Sequence, residues 1–229
     1  MCDNSGRLQR SARYSEWVWS FHTTRMAGEM RSGALIWFTG IPASGKSTIA
    51  SAVERRLKGA GIPVAYLDSE FVRRELSPDL GYTIEARAEH TRRLAFVGRL
   101  LAENGIIAIV AAVSNLRAFR DRARKGIEHF VEVYVECPLA VCQARDPKGL
   151  YARAARGEIC DIAGLHLPYE PPLQPEVLLE TDRMGIPECT ARVLAHLSKR
   201  GLLSPQTPRA GGEEAASLEV GEQIRVPGG

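Results

Sequence analysis

The chain has 229 residues, enough for one domain of ordinary size with appended segments, and its 45% apolar and 25% charged residues give the composition of a globular protein. A formal net charge of +3 is too slight to make nucleic acid or a membrane surface the partner, so an anionic ligand has to be met by local basic clusters. Five cysteines, Cys2, Cys137, Cys142, Cys160 and Cys189, form an odd, scattered set without a CxxC pair, which speaks against a disulfide framework or a zinc site and for reduced thiols in the cytoplasm.

Residues 1–31 contain Trp17-Val18-Trp19 but no continuous apolar stretch followed by small residues, so they do not read as a signal peptide. They read as an N-terminal extension. A short docking arm and an over-long gene start both fit, since Met26 and Met30 lie just ahead of the first strand. Residues 34–39 (ALIWFT) are a short apolar run of bulky residues, as a buried parallel strand requires. A glycine-containing loop follows, then an amphipathic helix over 47–57 that Gly59 and Gly61 stop. Residues 63–67 are the second strand candidate, and two helical stretches come next, the longer over 84–103 and ending at Asn104-Gly105. The third and fourth strands are expected at 106–110 and 130–135, with a basic helix between them. A helix starts at 138–143, a short last strand covers 177–179 and a final helix 187–200. No apolar run approaches the roughly 18 residues of a membrane span.

Strands alternating with helices imply right-handed crossovers and a parallel sheet of about five strands covered by helices on both faces. The domain is expected to occupy 32–202. The tail 203–229, rich in Pro, Gly, Glu and Ser and without a periodic apolar face, reads as disordered.

Gly40-Ile41-Pro42-Ala43-Ser44-Gly45-Lys46-Ser47 fits G-x-x-x-x-G-K-[ST] and sits between a predicted strand and a predicted helix, the context that gives this motif meaning. The expected fold is therefore the P-loop NTPase fold. Gly40 and Gly45 let the backbone approach phosphates, and the loop N–H groups through Thr48 form an anion nest at a helix N-terminus. Lys46 is expected on the β- and γ-phosphates of ATP, and the Ser47 hydroxyl on Mg²⁺. The base-reading N/T-K-x-D of GTPases is missing, and so is the apolar strand ending in Asp-Glu of many ATPases; a small-molecule kinase is the reading that remains.

Further blocks point the same way. Asp68-Ser69-Glu70-Phe71-Val72-Arg73, Asp79-Leu80-Gly81-Tyr82, Glu85-Ala86-Arg87 and Glu89-His90-Thr91-Arg92-Arg93 follow the phosphate loop. Ser114 comes next, then Arg145-Asp146-Pro147-Lys148-Gly149-Leu150-Tyr151, Arg156-Gly157-Glu158-Ile159 and Pro168-Tyr169-Glu170. These resemble, in order, the D-G-D-x-V-R, D-L-G-F, E-D-R and E-N-x-R-R blocks, the serine of I-S-P and the R-D-P-K-G-L-Y block of the adenylyl-sulfate kinase family, over about residues 33–197. The resemblance implies transfer of the ATP γ-phosphate to the 3′-hydroxyl of adenylyl sulfate, giving PAPS, with Mg²⁺ as cofactor and a homodimer as one form of the protein. It places Arg73, Arg87 and Arg120 on the acceptor, where guanidinium forks suit sulfate and phosphate oxygens. Arg120 also belongs to a helical face with Arg117, Arg122, Arg124 and Lys125, which a solvated charge run would explain as well.

Asp68 and Glu70 fall at the carboxyl end of the second strand, where doubly wound sheets place ligand chemistry. One carboxylate is expected to hold a Mg²⁺ water, with Asp68 as the metal residue, and the other to accept the proton of the attacking hydroxyl. Helix capping by Asp68 with a dipole-favoured acid at Glu70 is the competing explanation. Residues 145–157 have the composition of a basic lid that closes over ATP, with Arg145 on the nucleotide and Lys148 on the γ-phosphate; a plain surface loop is the alternative. Ser114 is a candidate to position the acceptor, or to carry a phosphoryl group.

The acceptor half departs from the family pattern. Ser69 and Glu70 replace the Gly and second Asp of D-G-D, His90 an Asn, and Asn115 a Pro. Ile162 and Arg74 stand where the family has aromatic residues, so His90 and Ile162 are carried as acceptor-binding candidates in altered form. A kinase for another small nucleotide or sugar, and a non-catalytic nucleotide-binding module, are the alternatives these departures leave open.

Overall fold

The computed structural model describes residues 33–203, so the expectations for residues 1–31 and for the tail beyond Leu203 lie outside the described residues. Five strands, β1 (Ala34–Thr39), β2 (Val64–Asp68), β3 (Ile107–Ala111), β4 (Phe130–Glu136) and β5 (Val177–Glu180), form one parallel sheet in the order β2-β3-β1-β4-β5. Among the described residues seven helices connect or cover them: α1 (Lys46–Gly59), α2 (Ser69–Leu76), α3 (Ile84–Glu103), α4 (Arg117–Arg124), α5 (Leu139–Arg145), α6 (Leu150–Ala155) and α7 (Ile186–Lys199).

β1 is central and wholly buried, which explains why its sequence shows no apolar–polar alternation. Ala34, Ile36 and Phe38 pack into a cluster with Ile49, Val53 and Leu57 of α1 and Val193 and Leu197 of α7. Leu35 and Trp37 point the other way, into a cluster with Leu94 and Ala95 of α3 and Ala123 of α4. β3 splits in the same manner, Ile107 and Ile109 to one face, Ala108 and Val110 to the other. Both faces are thus covered, and truncating one such residue, Leu35→Ala for instance, costs about 2–5 kcal/mol.

Every expected strand and helix is present, with ends shifted by at most two residues. Packing extends through Leu202 and Leu203, which join the α1/α7 cluster. One element was not foreseen: the basic segment read as a lid loop carries the short helix α6. All β-strand carboxyl ends point to one edge of the sheet, where the Gly40–Gly45 loop, the start of α2, the Ser114 turn and the α5–α6 segment converge on one cavity of about 940 Å³.

Candidate active site

The phosphate loop turns through positive φ at Gly40 (153°), Ala43 (61°) and Gly45 (100°). At Gly40 a side chain would run into the Val135 carbonyl oxygen of β4 and into Ser44 Oγ, so glycine is required there by contact as well as by conformation. Thr181 Oγ1, beyond β5, donates 2.8 Å to the Ser44 carbonyl and braces the loop from below. Lys46 is buried and its Nζ donates 2.7 Å to the Ile41 carbonyl within the loop. Burial lowers the pKa of this ammonium to about 8. Ser47 and Thr48, at the first turn of α1, are exposed to the cavity.

Asp68 caps α2: its Oδ1 accepts from the Glu70 and Phe71 backbone N–H groups at 3.0 and 3.2 Å. Its Oδ2 accepts 3.1 Å from the Tyr66 hydroxyl. Burial raises the Tyr66 pKa to about 12, and its hydroxyl also neighbours Ser47, so Tyr66 ties together the two expected metal residues. Capping and cavity lining are therefore both true of Asp68. Glu70 is exposed and pairs with Lys148 at 2.6 Å across the cavity.

The α5–α6 segment is more ordered than a surface loop. Asp146 (φ 22°) and Gly149 (φ 64°) form the turn that presents Lys148, and Asp146 Oδ2 accepts 2.9 Å from the Ala152 N–H. Tyr151 of α6 is buried and donates 3.0 Å to the Pro42 carbonyl of the phosphate loop. Arg145 donates to the Thr181 carbonyl and hydroxyl at 2.5 and 3.3 Å, beside the Met184–Ile186 stretch of the cavity wall.

At the other end of the cavity lie Arg73 and Arg87. Arg73 donates 2.7 Å to the Gly81 carbonyl; Arg87 donates 2.8 Å to the Tyr82 carbonyl and 2.8 Å to the Asp161 carbonyl. Their guanidinium carbons lie 4.8 and 5.5 Å from the centre of the Tyr82 ring, which is 57% exposed. Tyr82 was not among the expected site residues. Its place in the D-L-G-F-like block, between two arginine-bearing segments, was the signal available. Ser114 sits in a strained turn (φ 41°), and its buried Oγ has no hydrogen-bond partner among the described residues, an orphaned polar atom on the cavity wall.

One expectation is corrected here and two are refined: Arg120 is absent from the cavity wall, whereas His90 and Ile162 line it. Arg120 neither meets the cavity nor forms a solvated face: it is 1% exposed and donates to Glu132 Oε1 at 2.7 Å, the Ser114 carbonyl at 2.5 Å and the Glu170 carbonyl at 2.6 Å. A helix with several arginines conceals which one turns inward, and only the partner on β4 decides it. His90 lines the cavity, but both ring nitrogens are engaged by the two ends of α2, so its polar atoms do not face an acceptor. Ile162 is buried against Ile41, Tyr151 and Cys142. The segment after it comes so close to the phosphate loop that a side chain at Gly164 would meet Ile41 Cγ2 at 2.6 Å. Ile162 thus contributes an apolar wall where a stacking face was expected to be missing.

A parallel sheet in this order, a glycine-rich phosphate loop at the N-terminus of α1 and a basic segment over it define a P-loop phosphotransferase. The family model for Adenylylsulphate kinase matches residues 32–180, so the chain belongs to that family. The adenylyl-sulfate kinase of Halothermothrix orenii is 44% identical over 182 residues, 79% of this chain and 98% of the relative. That of Paraburkholderia xenovorans is 48% identical over 173 residues, 75% and 97% of the two chains. Among solved structures, the Mycobacterium tuberculosis APS kinase in complex with AMPPNP and APS matches with a TM-score of 0.71 and 43% identity, covering 73% of this chain and 99% of that one.

Proposed function

We propose that the protein transfers the γ-phosphate of ATP to the 3′-hydroxyl of adenylyl sulfate, giving PAPS. The observation that carries this reading is one cavity with a phosphate loop and buried lysine at one end, and two arginines framing an exposed tyrosine ring at the other. The first end fits a triphosphate, and the second fits a purine nucleotide bearing a sulfate. The M. tuberculosis relative is in complex with AMPPNP and APS, ligands of these two kinds.

In this reading the loop amides of residues 40–48 and Lys46 hold the β- and γ-phosphates of ATP. Contact with phosphate draws the Lys46 ammonium from the Ile41 carbonyl and favours its charged form. Arg145 packs beside the donor nucleotide. The Ser47 hydroxyl and the Asp68 carboxylate are hard oxygen donors on the same wall, joined through Tyr66, and fit Mg²⁺, which keeps several waters and takes few protein ligands. Magnesium supplies charge neutralisation on the phosphates. Arg73 and Arg87 grip the acceptor's phosphate and sulfate oxygens, and the Tyr82 ring stacks on its adenine; this face takes over what Ile162 lacks. The Ser114 hydroxyl, without a partner of its own among the described residues, orients the acceptor, and direct in-line transfer needs no phosphoserine. Glu70 accepts the proton of the attacking hydroxyl once Lys148 leaves it for the γ-phosphate. We further assign residues 32–202 to the kinase domain, with Leu203 packed against its α1/α7 cluster.

Labelled ATP with adenylyl sulfate tests the reading directly. Purified protein should form labelled PAPS, and Lys46→Ala should reduce turnover about a hundred- to a thousandfold, the scale of losing one main transition-state charge contact. A protein that hydrolyses ATP but leaves adenylyl sulfate untouched refutes the acceptor assignment, and an active Lys46→Ala refutes the donor site.

A further inference from the structure

One buried imidazole of α3 holds both ends of α2. His90 Nε2 lies 3.1 Å from Ser69 Oγ and 3.2 Å from the Ser69 carbonyl oxygen, at the first residue of α2. Its Nδ1 lies 3.1 Å from the Oγ of Ser77, the residue that ends the same helix. A carbonyl oxygen only accepts, so Nε2 carries the hydrogen; Nδ1 is then the acceptor, and the Ser77 hydroxyl donates to it. The ring is 3% exposed and Ser77 is fully buried, so these bonds do not compete with solvent.

We propose that His90 is a positioning residue that clamps α2 and thereby sets where Glu70 and Arg73 stand in the cavity, while Asp68 is held by the β2–β3 ladder. The proposal rests on the reading of the site given above. An eight-residue helix is about 12 Å long and is too short to be stable by itself. α2 contributes only one buried residue, Val72, to the core. Its orientation therefore depends on polar anchors. At the C-terminal end these include His90 on Ser77, Arg73 on the Gly81 carbonyl, and Arg93, which donates 2.9 Å to the Leu76 carbonyl and is itself held by Asp79. The N-terminal end, beside the Asp68 cap and Glu70, is anchored to α3 through Nε2 of His90. A carboxylate must be kept within about 0.5 Å of its working position, and a displacement near 1 Å costs on the order of a hundredfold in rate.

Two variants separate positioning from plain structural support. His90→Leu keeps the apolar bulk and removes both bonds. His90→Gln places an amide near the Nε2 position, able to donate to the Ser69 carbonyl, and gives up the Ser77 bond. For His90→Leu, kcat should fall about ten- to a hundredfold with the KM for ATP within twofold of the parent. His90→Gln should recover most of that loss, although its melting temperature falls with that of His90→Leu. Hydrogen exchange at the α2 amides should quicken at least tenfold in His90→Leu, with α1 and sheet amides unchanged. Should the parent not phosphorylate adenylyl sulfate, the acceptor assignment fails, and the same comparison is made on the exchange of α2, which still tests the clamp. A kcat within twofold of the parent for His90→Leu, or α2 exchange that does not change, overturns the clamp. A raised acceptor KM at unchanged kcat also overturns it, by showing that His90 touches the acceptor itself.

Discussion

Replacing Arg120 with Met removes a guanidinium that no solvent reaches: its side chain is 1% exposed, and that of its partner Glu132 is 10% exposed. Three acceptors lose a donor at once, the Glu132 carboxylate and the carbonyls of Ser114 and Glu170. Arg124, 3.4 Å from Glu132 Oε2, covers part of the stranded charge. Breaking a buried pair from one side costs about 3–5 kcal/mol. At about 2–4 °C per kcal/mol for a domain of this size, the melting temperature should fall by roughly 6–20 °C. Adding Glu132→Leu should recover the part due to the orphaned carboxylate, because an apolar pair of similar volume carries no desolvation penalty. Thermal unfolding of the two single variants and the double variant measures the coupling. Steady-state kinetics well below the melting point should meanwhile show an adenylyl sulfate KM within about threefold of the parent. A tenfold rise in that KM with a melting temperature shifted by less than about 2 °C would falsify the structural role and return Arg120 to the acceptor.

Other outcomes follow from the same geometry. Tyr82→Ala should raise the acceptor KM about five- to a hundredfold, the scale of a lost 1–3 kcal/mol stack, while Tyr82→Phe stays near the parent; equal effects of the two would point to the hydroxyl instead. His90 has its pKa lowered to about 4 by burial, with Arg73 and Arg93 acting in the same direction, against an ordinary value of 6.5. The unfolded chain thus binds the extra proton between those values, and stability falls as pH drops from about 6.5 towards 4, by on the order of 3 kcal/mol. Urea unfolding across that range should show a shallower slope in His90→Gln than in the parent, the remainder coming from groups such as His196, whose pKa burial also lowers. Cleavage within residues 145–157 should slow when an ATP analogue and Mg²⁺ are both present, as Lys148 moves from Glu70 to the γ-phosphate; unchanged cleavage at saturating nucleotide would argue against closure.

Much of this protein is legible in its sequence because the features concerned are local. β1 and β3 are apolar on both faces, which only a sheet covered twice demands, and G-x-x-x-x-G-K-S between strand and helix fits a phosphate nest whatever surrounds it. Family blocks such as R-D-P-K-G-L-Y carry the rest of the identification. Tertiary structure decided what depends on partners distant in the chain. Arg117, Arg120 and Arg124 look alike along α4, yet Arg120 alone of these three is fully buried, because Glu132 of β4 and the Glu170 carbonyl lie where it points. His90 reads as a ligand contact until Ser69 and Ser77 are seen on its two nitrogens, 21 and 13 residues away. Tyr82 becomes a candidate stacking face only when Arg73 and Arg87 are brought to its ring by the packing of α2 on α3. A sequence pattern reports which residues a backbone can accommodate and which face of an element is apolar. Whether a charged or polar side chain meets a ligand or a protein group is set by what the fold puts opposite it, and burial makes that pairing energetically binding.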